Sequence, residues 1–376
     1  MKTPLLALIL CACGAPSPSA KGAADSGGAA PESDGADGTA DGTDGGTADG
    51  ADGGAADGTD GTDGSDGTEP EPPADIVRFI AMGDGGEGNA DQYAVATAVA
   101  AVCAAKDSTE TDGERGGCDF VLYLGDNFYD SGVDSVDDDQ FQDKFELPYA
   151  DLDLPFYVVL GNHDYGSTSL EFWKSDFEVQ YSDRSDKWNL PSEYYTFTDT
   201  HAQFFGLDTN ALMLESLWGD SGQAAWMRDE LAVSTATWRI AFGHHPYVSN
   251  GQHGNAGEYE GYDWLPIANG ATVKSFMDAS LCGQVDLYLA GHDHNRQWLA
   301  PTCGTEFIVS GAAAKTTDLE GRGSATLFED DTREGFVWIE LRDDVLLGEF
   351  YDKNGDLDYT REIVKPAAAA ALAGGE

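Results

Sequence analysis

The apolar run Phe120-Val121-Leu122-Tyr123-Leu124 empties into Gly125-Asp126-Asn127-Phe128-Tyr129, and this junction constrains the fold more than any other stretch of the 376 residues. A short, nearly all-apolar run reads as a strand buried on both faces, which puts the polar pentapeptide at its carboxyl end. In open α/β sheets that end is where ligands bind. Four more runs finish alike. Ile76 to Met82 leads into Gly83-Asp84-Gly85-Gly86, Phe156 to Leu160 into Gly161-Asn162-His163-Asp164, Trp238 to Phe242 into Gly243-His244-His245-Pro246, and Val285 to Ala290 into Gly291-His292-Asp293-His294. Taken singly each motif is weak: Gly-Asp-Gly-Gly is commonly a turn, a lone His a structural residue, and Asn162 could be a helix cap. Five strand ends in succession that offer Asp, Asn, Tyr or His and almost nothing else point to a metal site.

The segments between these runs set the topology. A helix rich in Ala and Val is expected from 91 to 105, and another near Val136 to Phe145, where Phe141 and Phe145 stand one turn apart. The β-α-β-α-β order through Leu160 implies a parallel sheet with right-handed crossovers. The polar stretch 167–191, with scattered aromatics, reads as a long loop over the site. Strands follow at Tyr194 to Thr198 and Gln203 to Asp208, and a helix at Gly222 to Leu231. Phe307 to Ser310, Gly335 to Leu341 and Val345 to Tyr351 are strand-like, with Lys353-Asn354-Gly355-Asp356 a hairpin turn. No break divides 74–365, which reads as one domain.

The five strand ends resemble the binuclear metallophosphoesterase (calcineurin-like) superfamily, specifically its small, tartrate-resistant purple acid phosphatases. The pattern there is Asp-Gly, Gly-Asp-Asn-x-Tyr, Gly-Asn-His-Asp, Gly-His-x-Pro and Gly-His-x-His, all present here in order within Ile76 to Ile363. The resemblance implies an α/β fold of two mixed β-sheets packed as a sandwich flanked by helices. It also implies that Asp84, Tyr129 and His294 bind one metal, Asn162, His244 and His292 the other, and Asp126 bridges them. The first set has two anionic ligands besides the bridge, which favours Fe(III); the second, neutral apart from the bridge, suits Fe(II), Zn or Mn. Tyr129 is the discriminating residue, because phenolate on Fe(III) gives a visible charge-transfer band.

Two cations roughly 3.5–4 Å apart would bind a phosphate monoester, activate a water and stabilise the charge of an in-line displacement. In this family His163 is placed to bind phosphate or protonate the leaving group; a hydrogen bond to Asp164 would orient the ring, as carboxylates just outside a metal site commonly do. His253, nine residues beyond His244, matches the position of a second proton donor; its other reading is an exposed loop histidine. Two departures bear on substrate fit and pH optimum: Gly85 follows Asp84 where a bulkier residue is usual, and Tyr165 follows Asp164 where a His is common. His245, in the variable place before Pro246, receives no role.

The chain begins with Lys2 and the apolar run Pro4 to Leu10, the layout of an export signal too short to span a bilayer. Leu10-Cys11-Ala12-Cys13 resembles a lipobox, so residues 1–13 read as a lipoprotein signal with a lipid anchor on Cys13; a plain signal peptide cut near Ala15 or Ala20 is the alternative. Residues 14–73 are Asp, Gly, Ala, Thr and Ser with hardly a larger apolar side chain, a tether that cannot bury enough surface to order itself. As a flexible coil it would reach about 45 Å. Residues 366–376 read as an Ala-rich tail. The protein is then exported, either held at the cell envelope or secreted.

Formal charge is −48, and residues 1–73 hold only 14 acidic and 2 basic side chains, leaving 54 acidic against 18 basic for the rest. Such a domain repels nucleic acid, whose binding needs Lys and Arg against phosphates, so the expected partner is a small phosphorylated substrate. Outside the leader remain Cys103, Cys118, Cys282 and Cys303, which suit two disulfides in an exported domain. Of three possible pairings, Cys103 with Cys118 and Cys282 with Cys303 is favoured because each pair brackets a short stretch. The function expected is hydrolysis of phosphate monoesters by a metal-dependent acid phosphatase. The alternatives are a phosphodiesterase of the same fold and a non-catalytic surface binding lipoprotein.

Overall fold

Ile76–Met82 (β1) is buried along its whole length, as an apolar strand covered on both faces must be. The computed structural model describes residues 75–107, 116–261 and 268–366; the leader with Cys13, the tether and the Ala-rich tail lie outside the described residues. On one side of β1 lie Phe120–Tyr123 (β2), Phe156–Val158 (β3) and Trp188–Asn189 (β4), all parallel. On its other side lie Gly335–Arg342 (β12), Val345–Asp352 (β13) and Leu357–Val364 (β14), all antiparallel. The hairpin expected at Lys353 to Asp356 joins β13 to β14, with Gly355 N donating to Asp352 O at 2.9 Å.

A second sheet of seven strands comprises Tyr195–Asp199 (β5), Ala202–Gly206 (β6), Trp238–Phe242 (β7), Leu287–Ala290 (β8), Arg296–Leu299 (β9), Glu306–Ser310 (β10) and Thr326–Asp330 (β11). Strands β6, β7, β8 and β10 run parallel in its middle, and β5, β9 and β11 pair antiparallel at its flanks. Alternation along these strands makes two cores. Phe204, Ile240 and Leu289 face the first sheet, where Phe79 and Phe120 meet the Phe204 ring edge-on at 5.4 and 5.2 Å. Their neighbours Phe205, Ala241 and Tyr288 pack the other way, onto Thr209–Trp218 (α3), Gln223–Val233 (α4) and Ala271–Ser280 (α5). The helix Ala90–Lys106 (α1) packs Val95, Val99 and Val102 against the first sheet, on the side where Lys106 lies over the Trp338 ring. Two mixed sheets with flanking helices is the architecture expected, and both favoured disulfides, Cys103–Cys118 and Cys282–Cys303, are formed.

Two expectations need correction. The stretch 167–191 is not a loop over the site: it contains the helix Ser175–Tyr181 (α2) and then β4, which extends the first sheet. Its aromatics are the reason. Trp188 is buried between Phe128 and Phe145, and Tyr181 stacks on Phe141 at 3.6 Å, so the segment is held down as core. The helix expected from Val136 is only the short π-helical turn Gln142–Glu146. Before it, Asp138 accepts hydrogen bonds from the backbone of Asp134 and Gln140 at 2.8 and 3.0 Å, a local bond that competes with helix.

Where the two sheets approach at their edges, Arg296 of β9 is fully buried and pairs with Asp330 of β11 and, at 2.9 Å, with Asp358 of β14. Arg333 meets the same Asp358 at 2.8 Å. Removing one partner from a buried ion pair leaves the other uncompensated. Arg296→Met should therefore cost about 3 kcal/mol of unfolding free energy in urea titrations. A loss under about 1 kcal/mol, the range of exposed pairs, would show that this ion pair does not tie the sheets together.

Candidate metal centre

The five strand-end loops converge at the carboxyl ends of the parallel strands of both sheets. Three of the residues they present sit in the left-handed backbone region: Asp84 at φ 60°, Asp126 at φ 52° and His292 at φ 69°. Side chains other than Gly rarely occupy it, at a cost of about 1–3 kcal/mol each, and such strain clusters at functional sites. Each follows a Gly that ends its strand's run. Gly125, itself at φ 87°, lies so close to Gly161 N and the His244 ring that a Cβ would come within 2.8 Å of both. The loops can meet only because that side chain is missing.

Around Asp126 the side chains form two groups. Asp126 Oδ2 accepts from Tyr129 OH at 2.8 Å, and that phenol also lies 2.9 Å from Asp84 Oδ1 and 3.1 Å from His294 Nε2. Asp126 Oδ1 lies 3.4 Å from His244 Nε2, which is 3.1 Å from both Asn162 Oδ1 and His292 Nδ1. The ligand atoms of Asp84, Asp126 and His294 lie within 4.8 Å of one another, and so do those of Asp126, His244 and His292. Asp126 belongs to both groups and offers each a different oxygen. All seven candidate ligands are therefore brought together around Asp126.

The donor atoms fit cations. His244 Nδ1 lies 2.9 Å from the Leu124 carbonyl oxygen, which can only accept, so the ring proton sits on Nδ1. In the neutral ring that leaves a lone pair on Nε2 facing the Asn162 and Asp126 oxygens, which are acceptors too. Likewise the one phenolic hydrogen of Tyr129 serves two carboxylates. Burial, and then the charges of Asp126 and Asp84, push the Tyr129 phenol well above its ordinary value in the bare chain. Burial raises Asp84 to about 7, with the Asp126 charge adding to it against the opposing pull of His244. Buried acceptors that face acceptors are unfavourable until a cation fills the space between them.

The candidate catalytic residues are placed differently from one another. His163 stands beside Tyr129, with ring centroids 4.6 Å apart, and its Nε2 is 4.0 Å from Asp126 Oδ2. Its Nδ1 donates to the Asp130 carbonyl at 2.7 Å. Asp164 was expected to orient that ring but is engaged elsewhere. It accepts from the backbone of Gly161, Asn127 and Phe128 at 2.7, 2.8 and 3.1 Å, because its buried carboxylate is the hub that ties the two Asn-bearing loops together. Burial, and then the Asp126 charge, push the Asp164 carboxyl up, while burial and Asp164 do the same to Glu178 beside it.

His253 is not an exposed loop residue: its side chain is only 12% exposed and stacks on His292 at 4.0 Å. Its Nδ1 bonds Glu260. Burial opposes the charged ring, but Glu260 and Asp293 outweigh it and hold His253 up at about 9 in the bare chain. Asp293 fixes the loop that carries His253, accepting from Ser249 Oγ, from His253 N at 2.7 Å and from Gly254 N at 3.3 Å. Asp293 sits inside the Gly-His-Asp-His motif and could have been suspected; Glu178 and Glu260 belong to no motif. The unassigned His245 is buried and bonded through Nδ1 to Thr209 Oγ1 at 2.8 Å. Gly85 and Tyr165 both turn away from the ligands. The space beside Gly85 is taken by the Tyr123 and Tyr149 phenols, and Tyr165 OH donates to Asp208 at 2.6 Å.

Residues 77–296 match the model of the calcineurin-like phosphoesterase family. Tartrate-resistant acid phosphatase type 5 of Sus scrofa is 33% identical over 264 residues, covering 64% of this chain and 70% of that protein. Purple acid phosphatase 4 of Arabidopsis thaliana is 29% identical over 313 residues, covering 76% and 82% respectively. Among solved structures, GAP50, described as the anchor in the inner membrane complex of Plasmodium, is similar with a TM-score of 0.58 at 22% identity, covering 77% of this chain and 90% of that one. That last likeness concerns the fold alone. The family model covers more than half of the chain and all five strand-end loops fall within it, so the chain belongs to the calcineurin-like phosphoesterase family, with tartrate-resistant and purple acid phosphatases among its relatives.

Proposed function

We propose that this protein is an acid phosphatase that hydrolyses phosphate monoesters at a binuclear metal centre. The observation that carries the reading is Asp126, whose two oxygens address two separate groups of buried ligand atoms. Asp84, Tyr129 and His294 would hold one ion and Asn162, His244 and His292 the other. Two anionic ligands besides the bridge favour Fe(III) in the first place, and amide oxygen with imidazole favours Fe(II), Zn or Mn in the second. When bound, the pair supplies Lewis acidity and an activated water.

The chain's own residues do the rest. His163 is fixed through Nδ1 by the Asp130 carbonyl, which leaves Nε2 free to bind a phosphate oxygen or to give a proton to the leaving group. His253, held by Glu260 and stacked on His292, is a second group for the same tasks. Asp164 acts on neither ring and holds the loops of Asp126 and Asn162 in register. The two disulfides support export. Attachment through a lipid on Cys13, the other part of this reading, would put the enzyme at the cell envelope. Among the described residues no helix is long and apolar enough to cross a membrane. A phosphodiesterase or an inert binding protein is less favoured: the seven candidate ligands gathered around Asp126, with His163 and His253 beside them, support the acid phosphatase reading.

A visible spectrum of the purified protein, taken with its metal content, tests the reading. A broad band that is lost in Tyr129→Phe, with about two metals per chain, is expected. A colourless protein with two divalent ions would keep hydrolysis but remove the iron–tyrosinate assignment. In turnover assays, p-nitrophenyl phosphate should be hydrolysed faster than its bis ester; the reverse order would favour the phosphodiesterase. His163→Ala should lower kcat by about 10²–10³-fold with metal content unchanged, and unchanged kcat would remove His163 from catalysis.

A further inference from the structure

Lys315 belongs to none of the motifs above, yet its ammonium stands over the face of the Tyr129 ring, 3.3 Å from the centroid. A 2.6 Å ion pair with Glu87 Oε1 holds it there. Glu87 belongs to the loop that follows Asp84, and the backbone around Lys315 is pinned on both sides. Asn89 Nδ2 donates to Ala314 O at 2.9 Å, and Thr317 N to His294 O at 2.9 Å. The ammonium is therefore delivered to one face of a single aromatic ring by two fixed segments. In a chain with 20 basic residues against 68 acidic ones, a cation placed against a metal-site tyrosine is not explained by surface composition.

We propose that Lys315 is a positioning residue that sets the electronic character of the Tyr129 phenolate and, through it, the redox poise of the ion that Tyr129 binds. This rests on the iron–tyrosinate reading given above. A cation over an aromatic face is attracted by the ring's π density, and more strongly when the ring carries a phenolate charge. The attraction lowers the filled π orbital from which charge moves to Fe(III), so the charge-transfer band lies at higher energy than an unaccompanied phenolate would give. It also makes the phenolate a weaker donor, which favours Fe(II) over Fe(III) relative to the same site without the lysine. Groups beyond the ligands tune metal sites in this way.

The test compares the full-length protein with Lys315→Met and Lys315→Arg by metal content, visible spectrum of the oxidised form, and midpoint potential of the iron. Lys315→Met should keep both metals, move the band to longer wavelength and lower the potential. Lys315→Arg, which keeps the charge, should restore both towards the parent values, a rescue that a merely structural role would not give. A coloured parent whose band and potential are unmoved in Lys315→Met overturns the proposal and leaves the iron–tyrosinate reading standing. So does a Lys315→Met variant that only weakens inorganic phosphate binding, which would make Lys315 an anion contact. A colourless parent overturns the underlying reading and this proposal with it.

Discussion

The site depends on one electrostatic conflict: buried acceptor atoms on five loops point at one another. His244 Nε2 faces two oxygens, and Tyr129 OH has one hydrogen for two carboxylates. In water each of these atoms would be satisfied; buried, they need cations to be comfortable. The fold's contribution is to force the meeting. Both sheets direct the ends of their parallel strands to the same place, and the inter-sheet core of Phe79, Phe120 and Phe204 keeps them from separating.

A second set of buried polar residues makes the conflict tolerable. Asp164 collects backbone N–H groups from two loops, and Asn127 Nδ2 reaches both Asp164 and Glu178 at 3.0 and 3.1 Å. Asp293 does the same for the loop of His253. Buried hydrogen-bond networks of this kind rigidify what they touch. The proposed proton donors thus rest on supports that are themselves anchored to secondary structure, and α2, which brings Glu178, is one of those supports.

Much of this was legible because it is local. Runs such as Trp238 to Phe242 and Ile76 to Met82 mark strands, and the residues directly beyond each run mark the candidate ligands; β7 and β1 have those bounds. The pairing of cysteines also followed from proximity in sequence. What stayed hidden is set by distant partners. Ser175–Tyr181 has little helical pattern of its own and is fixed by Trp188, Phe141 and Phe128. The role of Asp164 depends on backbone groups 36 and 37 residues away. Glu260 and Lys315 reach the centre from loops whose paths no periodicity announces.

The backbone at Asp84, Asp126 and His292 has a consequence for how such a chain changes over time. At each position glycine would relax the left-handed conformation, and it would also delete a candidate ligand. Without ions, therefore, the least strained version of this fold is one that has lost its centre. Selection for stability alone would drift towards an inert protein of the same shape, and retention of three strained side chains is the signature of a requirement other than folding.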